Sequence, residues 1–437
     1  MATKVILSLS KLNKKPDGKV NSYCYLTPNK AKYQGVQTNE APVKYFLSQD
    51  SAISQILCLV TPTVKDKENG AMEYFRQAVH KINPLVQILE IDIPDDGRIS
   101  DKTMAALLQH VNKGDQVYLD TSGGARYTVM GLIQLVRLLE YKGVKLKKAV
   151  YANLSSKPLP TLDDVTELYQ SQNLISGMQE LTTFGSVHIL KTYFFGNTTE
   201  DGKTIQKLLN AIGNMTDAIT LCRLETLERT MTVYQTEMAA AASIKNPIMR
   251  ELVDFFRNKF GTKITVPWVV LWCLEHRMLL QALTIYREWM PKYLLRESGL
   301  FTAVPDKLDE RFAGAQKKYR DDNVALWEQF IHLAQTENIN LQDNIYVMIS
   351  TLENLNRYLP NSGFKVADCR KVTQVAWDMV YAKTLRNMVL HSNEDAKVDP
   401  RLEQALENQG YFAKFKDLTA SDCIRSLSRA IKRIHQG

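Results

Sequence analysis

QVYLDTSGGARY, residues 116–127, decides the fold of the first third of the chain. Its first half is a short apolar run of strand type, Gln116 to Thr121. The run empties into an acid, two hydroxyls and two glycines. A helical stripe of Val129, Leu132, Leu135, Val136 and Leu139 follows. A strand that passes through a glycine-rich loop into an amphipathic helix is the repeating unit of a parallel α/β sheet. Working outward, further strand-like runs lie at Val5 to Leu9, Gln55 to Val60, Val86 to Ile93 and Ala149 to Leu154. Between them, Met72, Phe75, Val79 and Ile82 make one helical stripe, and Met104, Leu107 and Leu108 another. The pattern predicts a Rossmann-like α/β domain over residues 1–155. The aromatic, turn-rich segment 21–35 reads as an inserted hairpin, and SKPLPTLDDV, residues 156–165, as a linker.

Beyond the linker the apolar spacing is helical throughout, in windows such as 162–195, 203–243, 266–290 and 368–391, with no strand run of comparable quality. The expected architecture is an α/β Rossmann-like N-terminal domain followed by an all-α helical C-terminal region. The latter divides into a helical connector, 156–220, and an all-α domain, 221–437.

At 437 residues the chain is too long for one ordinary core. Its N-terminus has only a strand-like apolar run before its lysines, so no signal peptide is expected. The most apolar stretch, TVPWVVLWCLEHRMLLQAL, is interrupted by Glu275, His276 and Arg277, so a cytoplasmic protein without a membrane span is expected. Six cysteines are scattered without C-x-x-C spacing, which indicates neither a disulfide frame nor a zinc site; no metal and no cofactor is expected. The net charge of +8 permits a nucleic-acid partner. Part of it is local: residues 411–437 hold six Lys/Arg against two acids. In the last helix Ile424, Leu427, Ile431 and Ile434 share a face, leaving Arg425, Arg429, Lys432 and Arg433 elsewhere, either to touch a nucleic-acid backbone or simply to face solvent.

Two constellations carry chemistry. In an open parallel sheet, ligands bind beyond the carboxyl ends of the strands. The loops there offer Ser8 and Ser10 after the first strand and Thr61, Pro62 and Thr63 after the second. After the fourth come Asp120, Thr121, Ser122, Gly123, Gly124 and Arg126. Two glycines let a backbone approach closely, and the following helix start offers free N–H groups to an anion. A phosphate or nucleotide fits, although the same residues also serve a plain tight turn capped by Asp120. The loop lacks the Gly-Lys-Ser/Thr ending of a Walker loop, and it follows a late strand, unlike the dinucleotide fingerprint.

The second constellation is YAKTLRNMVLHS, residues 381–392. Asn387 and His391 stand four apart on one helix face, and the long side chain of Arg386 reaches back toward them. Cleaving RNA without a metal requires moving protons at the 2'-hydroxyl and the 5'-oxygen and stabilising a phosphorane. An imidazole that titrates near neutrality and a permanently charged guanidinium suit those tasks. The plainer alternative is a histidine closing a helix end beside a surface arginine. The remaining histidines stand singly, and Trp268, Trp272 and Trp289 fall in apolar helices as core residues.

Together, D-T-S-G-G-A-R-Y at 120–127 and R-N-M-V-L-H at 386–391 resemble a family: the CRISPR-associated ribonucleases of type III systems, of the Csm and Csx group, which join an N-terminal CARF sensor domain to a C-terminal HEPN nuclease. The middle helices, LLNAIGNMTDAITLCRLETL and WVVLWCLEHRMLLQALTIYREWMPKYL, are similar to the same proteins, so the resemblance covers nearly the whole chain. It implies a homodimer whose sensor domains bind a cyclic oligoadenylate, cyclic tetra-adenylate in preference to cyclic hexa-adenylate. It also implies that Arg386, Asn387 and His391 of two protomers face each other. Together they would cut single-stranded RNA without a metal, leaving 2',3'-cyclic phosphates. The first-strand loop, Ser8 to Lys11, departs from relatives in lacking a glycine. A different reading is a nucleotide-sensing, non-catalytic DNA-binding regulator. The helices before residue 360 offer no obvious recognition helix for it.

Overall fold

The structure is a computed structural model that describes residues 2–12, 19–303, 344–355, 364–391, 398–411 and 418–435, with positions 317, 327 and 415. Contacts divide the chain into two units, Met1–Asn173 and Leu174–Gly437.

The first unit is built on an eight-stranded sheet. Its strands are β1 (Thr3–Ser8), β2 (Tyr23–Leu26), β3 (Lys32–Gly35), β4 (Ile53–Val60), β5 (Gln87–Asp92), β6 (Gln116–Asp120), β7 (Lys145–Asn153) and β8 (Thr161–Asp164), in the order β3-β2-β8-β7-β6-β1-β4-β5. The five strands from β7 to β5 pair in parallel. Every residue of β1 is buried because the sheet is covered on both sides. Alternate residues feed opposite cores: Val5 and Leu7 pack with Phe46, Cys58 and Phe75, whereas Ile6 packs with Leu57, Leu119, Leu132 and Leu135. The helices are α1 (Glu40–Gln49), α2 (Pro62–Lys65), α3 (Ala71–His80), α4 (Asp101–Gln109) and α5 (Arg126–Tyr141). From β1 the chain proceeds to β4 and β5 on one side and later to β6 and β7 on the other. The strand order therefore reverses between β1 and β6, which opens a crevice at their carboxyl ends.

The segment 21–35 is the expected hairpin, β2 against β3. The segment read as a linker is not one: β8 lies inside it and pairs antiparallel with β7, Ala152 opposite Leu162. Only Leu162 of its four residues is buried, so this short strand between β2 and β7 shows no apolar alternation to read.

The second unit is helix-rich. It holds most of α6 (Thr166–Phe184), then α7 (His188–Phe194), α8 (Glu200–Thr220), α9 (Leu224–Ala241), α10 (Pro247–Phe260), α11 (Val266–Glu275), α12 (Leu279–Lys292), α13 (Asn344–Glu353), α14 (Cys369–His391), α15 (Pro400–Asn408) and α16 (Ala420–His435). One core runs through it, from Leu208 and Phe256 to Trp272, Tyr286, Trp377 and Leu427. The unit is helix-rich as expected, with two refinements. A two-stranded antiparallel sheet, Phe301–Ala303 with Phe364–Val366, joins segments some sixty residues apart, so the unit is not purely helical. The windows 203–243 and 266–290 each break into two helices, because Cys222 (φ 52°) and Arg277 (φ 57°) adopt the left-handed conformation. Each break carries the paired bonds of a helix-stopping turn: Arg223 N–H to Ala218 O at 2.9 Å and Met278 N–H to Cys273 O at 2.8 Å. Neither stop is a glycine or a proline, so the sequence carries no punctuation there.

Candidate functional site

In the first unit, the crevice between β1 and β6 is closed at its floor by backbone. A Cβ added at Gly123 meets the Ser8 carbonyl oxygen at 2.2 Å, and one added at Gly124 (φ 86°) meets Ser8 Oγ at 2.2 Å. The two loops approach so closely that only glycine fits at either position. Asn39 holds them in register. Its Nδ2 donates to Ser8 O at 3.0 Å and to Asp120 Oδ2 at 2.6 Å, while its Oδ1 accepts from Ser10 N–H at 2.8 Å. Asp120 is fully buried and also accepts from Ser122 N–H at 2.9 Å. Desolvation pushes its carboxyl up to about 6 despite those hydrogen bonds. Ser122 Oγ accepts from Ala152 N–H at 2.7 Å, and Thr121 Oγ1 donates to Val150 O at 3.1 Å, which ties the loop to β7.

The structure thus brings Ser8, Ser10, Asp120, Ser122, Gly123 and Gly124 together. Asp120 and Thr121 are buried and shape the loop from behind. Arg126 opens α5 and is exposed. Thr61 caps α2 through Val64 N–H at 3.3 Å, with Pro62 at its first turn. Thr63 bonds toward the loop after β5, its N–H and Oγ1 reaching Asp95 Oδ1 at 3.1 and 2.7 Å. The hydroxyls of Ser8 and Ser10 and the Oε1 of Gln37 are buried with no hydrogen-bond partner. Buried polar atoms are ordinarily paired, and each orphan costs about 1–3 kcal/mol. A ligand with phosphate oxygens to accept from the two serine hydroxyls and a sugar hydroxyl to donate to Gln37 Oε1 would supply the missing partners. Asn39 and Gln37 escape a sequence reading. Asn39 stands where a helix cap belongs, yet its side chain makes no cap bond and turns inward to the sheet.

In the second unit, Arg386, Asn387 and His391 lie on the last two turns of α14. Arg386 is half-buried with its Nε enclosed and unpartnered, and Asn387 is exposed. The guanidinium lies within electrostatic reach of the Cys222 thiol at the α8–α9 corner, whose pKa burial raises. The backbone sets His391 four residues beyond Asn387; its side chain lies outside the described part of the structure.

Two turns upstream on α14, Asp378 is buried with 0% of its side chain exposed. Its Oδ1 accepts from the Tyr411 hydroxyl at 2.5 Å and faces Arg433 of α16 at 3.3 Å. Gln374 Nε2 donates to the Tyr411 hydroxyl at 2.9 Å, and the Tyr411 ring stacks on Tyr381 at 4.8 Å. Desolvation raises the Asp378 carboxyl from 3.8 to about 6, against the Tyr411 bond and the Arg433 charge. A carboxyl whose folded pKa lies above its unfolded one contributes stability that is present below about pH 4 and lost as pH rises through about 6. Asp378→Asn keeps an acceptor for Tyr411 and removes the titration. Its stability relative to wild type is expected to rise by on the order of 2 kcal/mol between pH 4 and pH 7. Urea midpoints at the two pH values check this; an unchanged difference contradicts it.

No metal-binding group of three or more His, Cys, Asp or Glu occurs among the described residues, and none of their helices is long and apolar enough to cross a membrane. No family model matches the chain. In three dimensions the chain aligns over 100% of its length with 95% of Csm6 from Enterococcus italicus, solved bound to cyclic hexa-2'-fluoro-hexa-dAMP, at a TM-score of 0.41 and 9% identity. Over 110 residues it is 26% identical to the CRISPR-associated protein MJ1674 of Methanocaldococcus jannaschii, covering 24% of this chain but only 17% of that relative's length. Over that 110-residue stretch the chain is similar in sequence to a CRISPR-associated protein.

Proposed function

We propose that the chain is a metal-independent, single-stranded RNA endoribonuclease of type III CRISPR defence, with a CARF sensor in its first unit and a HEPN nuclease in its second, switched on by a cyclic oligoadenylate. The observation that carries the sensor half is the trio of unpartnered buried polar atoms, Ser8 Oγ, Ser10 Oγ and Gln37 Oε1, beside a backbone floor where only glycine fits. A ligand of alternating phosphates and riboses answers such a site, and the start of α5 beyond it adds free N–H groups. The catalytic half rests on Arg386, Asn387 and His391. Arginine stabilises the phosphorane, histidine moves protons, and Asn387 orients either group.

One set of these groups is too few to serve as acid, base and oxyanion clamp together, so the active unit is a homodimer with a composite site. A feature of α5 supports pairing. Tyr127 (61% exposed), Met130 (68%), Leu138 (44%) and Tyr141 (83%) follow helical spacing down its outer face, beginning beside the Gly-Gly loop. A second copy packed there sets two ligand loops side by side, which suits a two-fold symmetric cyclic ligand.

The test is one incubation series. Labelled single-stranded RNA is mixed with the protein in EDTA, with cyclic tetra-adenylate, cyclic hexa-adenylate or neither. Cleavage confined to one ligand, with products carrying 2',3'-cyclic phosphates, is expected, and cyclic tetra-adenylate is the expected activator. Retention of duplex DNA without any RNA cleavage supports instead a non-catalytic regulator.

A further inference from the structure

Two basic residues of α16, Arg425 and Arg429, line a concavity of about 280 Å³ together with Gly410, Tyr411, Asp422 and Ser426. Arg425 and Arg429 are exposed and stand one turn apart on one side of the helix, about 6 Å along its axis. Lys432, also exposed, continues the row. Among the described residues neither Arg429 nor Lys432 is matched to an acid. The acid of the lining, Asp422, is engaged as a cap, its Oδ2 accepting from Thr419 N–H at 3.2 Å and Thr419 Oγ1 at 2.6 Å. Arg425 lies near enough to lower its pKa further. Cationic charge therefore prevails at the Arg429 end. Gly410, in the left-handed conformation (φ 80°) with open space where a Cβ would stand, leaves bare backbone at the rim.

The floor connects directly to the catalytic helix. Tyr411 hydrogen-bonds Asp378 and stacks on Tyr381, both on α14, and the Tyr381 hydroxyl interacts with Ser426 beside the arginines. From Asp378 to Arg386 the helix rises about 12 Å, a span of only a few nucleotides. Exposed arginines on a rigid helix, one turn apart and turned toward a shallow trough, fit the successive phosphates of an extended strand better than a compact anion.

We propose that this trough is a phosphate-backbone subsite that holds single-stranded RNA on one side of Arg386 and Asn387. The inference rests on the ribonuclease reading above and adds to it the route of the strand. The test is a binding titration of fluorescent single-stranded RNA across a salt series, in a full-length His391→Ala background. Arg425→Ala/Arg429→Ala is expected to weaken binding about tenfold and to lower the slope of log K against log salt by roughly 1.4, about 0.7 for each lost phosphate contact. Arg425→Lys/Arg429→Lys is expected to keep the slope. With His391 intact, the alanine pair raises KM far more than it changes kcat. Unchanged affinity and slope, with the parent binding and cutting RNA, overturn the subsite alone. A parent that binds no RNA overturns the subsite together with the ribonuclease reading. Unaltered RNA binding with loss of binding to polyglutamate marks the trough as a protein-docking face and equally overturns the proposal.

Discussion

Gly123→Ala is expected to cost at least about 2–3 kcal/mol of stability in the first unit and to shift the activator concentration for half-maximal cleavage upward by tenfold or more. The added Cβ lands 2.2 Å from the Ser8 carbonyl oxygen and 2.5 Å from Asn39 Oδ1. Neither neighbour can retreat. Ser8 ends β1, which is paired on both sides with β4 and β6, and Asn39 is held by its bonds to Ser8, Ser10 and Asp120. Relief has to come from the loop itself, through loss of the Ser122 bonds to Asp120 and Ala152. That movement carries the Gly-Gly backbone off the crevice floor and uncovers the buried Asp120 carboxyl. Urea unfolding followed by activation curves measures both effects. A wild-type midpoint together with a wild-type activation curve contradicts this account of the loop.

Much of this loop is legible in the sequence, and the part that is not has an identifiable cause. Gly123 and Gly124 announce themselves because a strand, two glycines and a helix are adjacent in sequence, and every constraint on them is local. Asn39 does not, because its partner Asp120 is 81 residues away and its own context, Thr-Asn-Glu before a helical run, reads as an ordinary cap. β8 carries no apolar alternation that would mark it as a strand. The breaks at Cys222 and Arg277 are silent in the sequence because a left-handed corner at a non-glycine residue leaves no compositional mark. In the second unit the R-N-x-x-x-H motif is visible because six consecutive residues hold it. The Asp378–Tyr411–Arg433 cluster beside it is assembled from three separate segments, and nothing in Asp378's neighbourhood, Val-Ala-Trp-Asp-Met-Val, separates a buried acid from a solvated one.

Arg386→Ala is expected to lower activated RNA cleavage by about 10²–10³-fold, the usual cost of removing one preorganised stabiliser of a developing oxyanion. His391→Ala is expected to lower it by about 10²–10⁴-fold, as for loss of a general acid or base. Neither change should alter activator binding, since both residues belong to the second unit. Arg386 is a favourable position for such a test. Its neighbours Leu385, Ala382 and Tyr381 carry the packing, and its own Nε is enclosed without a partner, so truncation removes an unmet polar group rather than a structural bond. Arg386→Lys separates charge from geometry: an ammonium keeps the charge but loses the planar fork that grips two phosphate oxygens, so most activity should remain lost. The measurement is single-turnover cleavage in EDTA at saturating cyclic oligoadenylate, alongside a ligand-binding titration. The proposed composite site takes groups from two protomers, and on that proposal wild-type specific activity should also fall on dilution, and saturating RNA should not restore it. Activity in both alanine variants close to wild type would move the chemistry off α14 altogether.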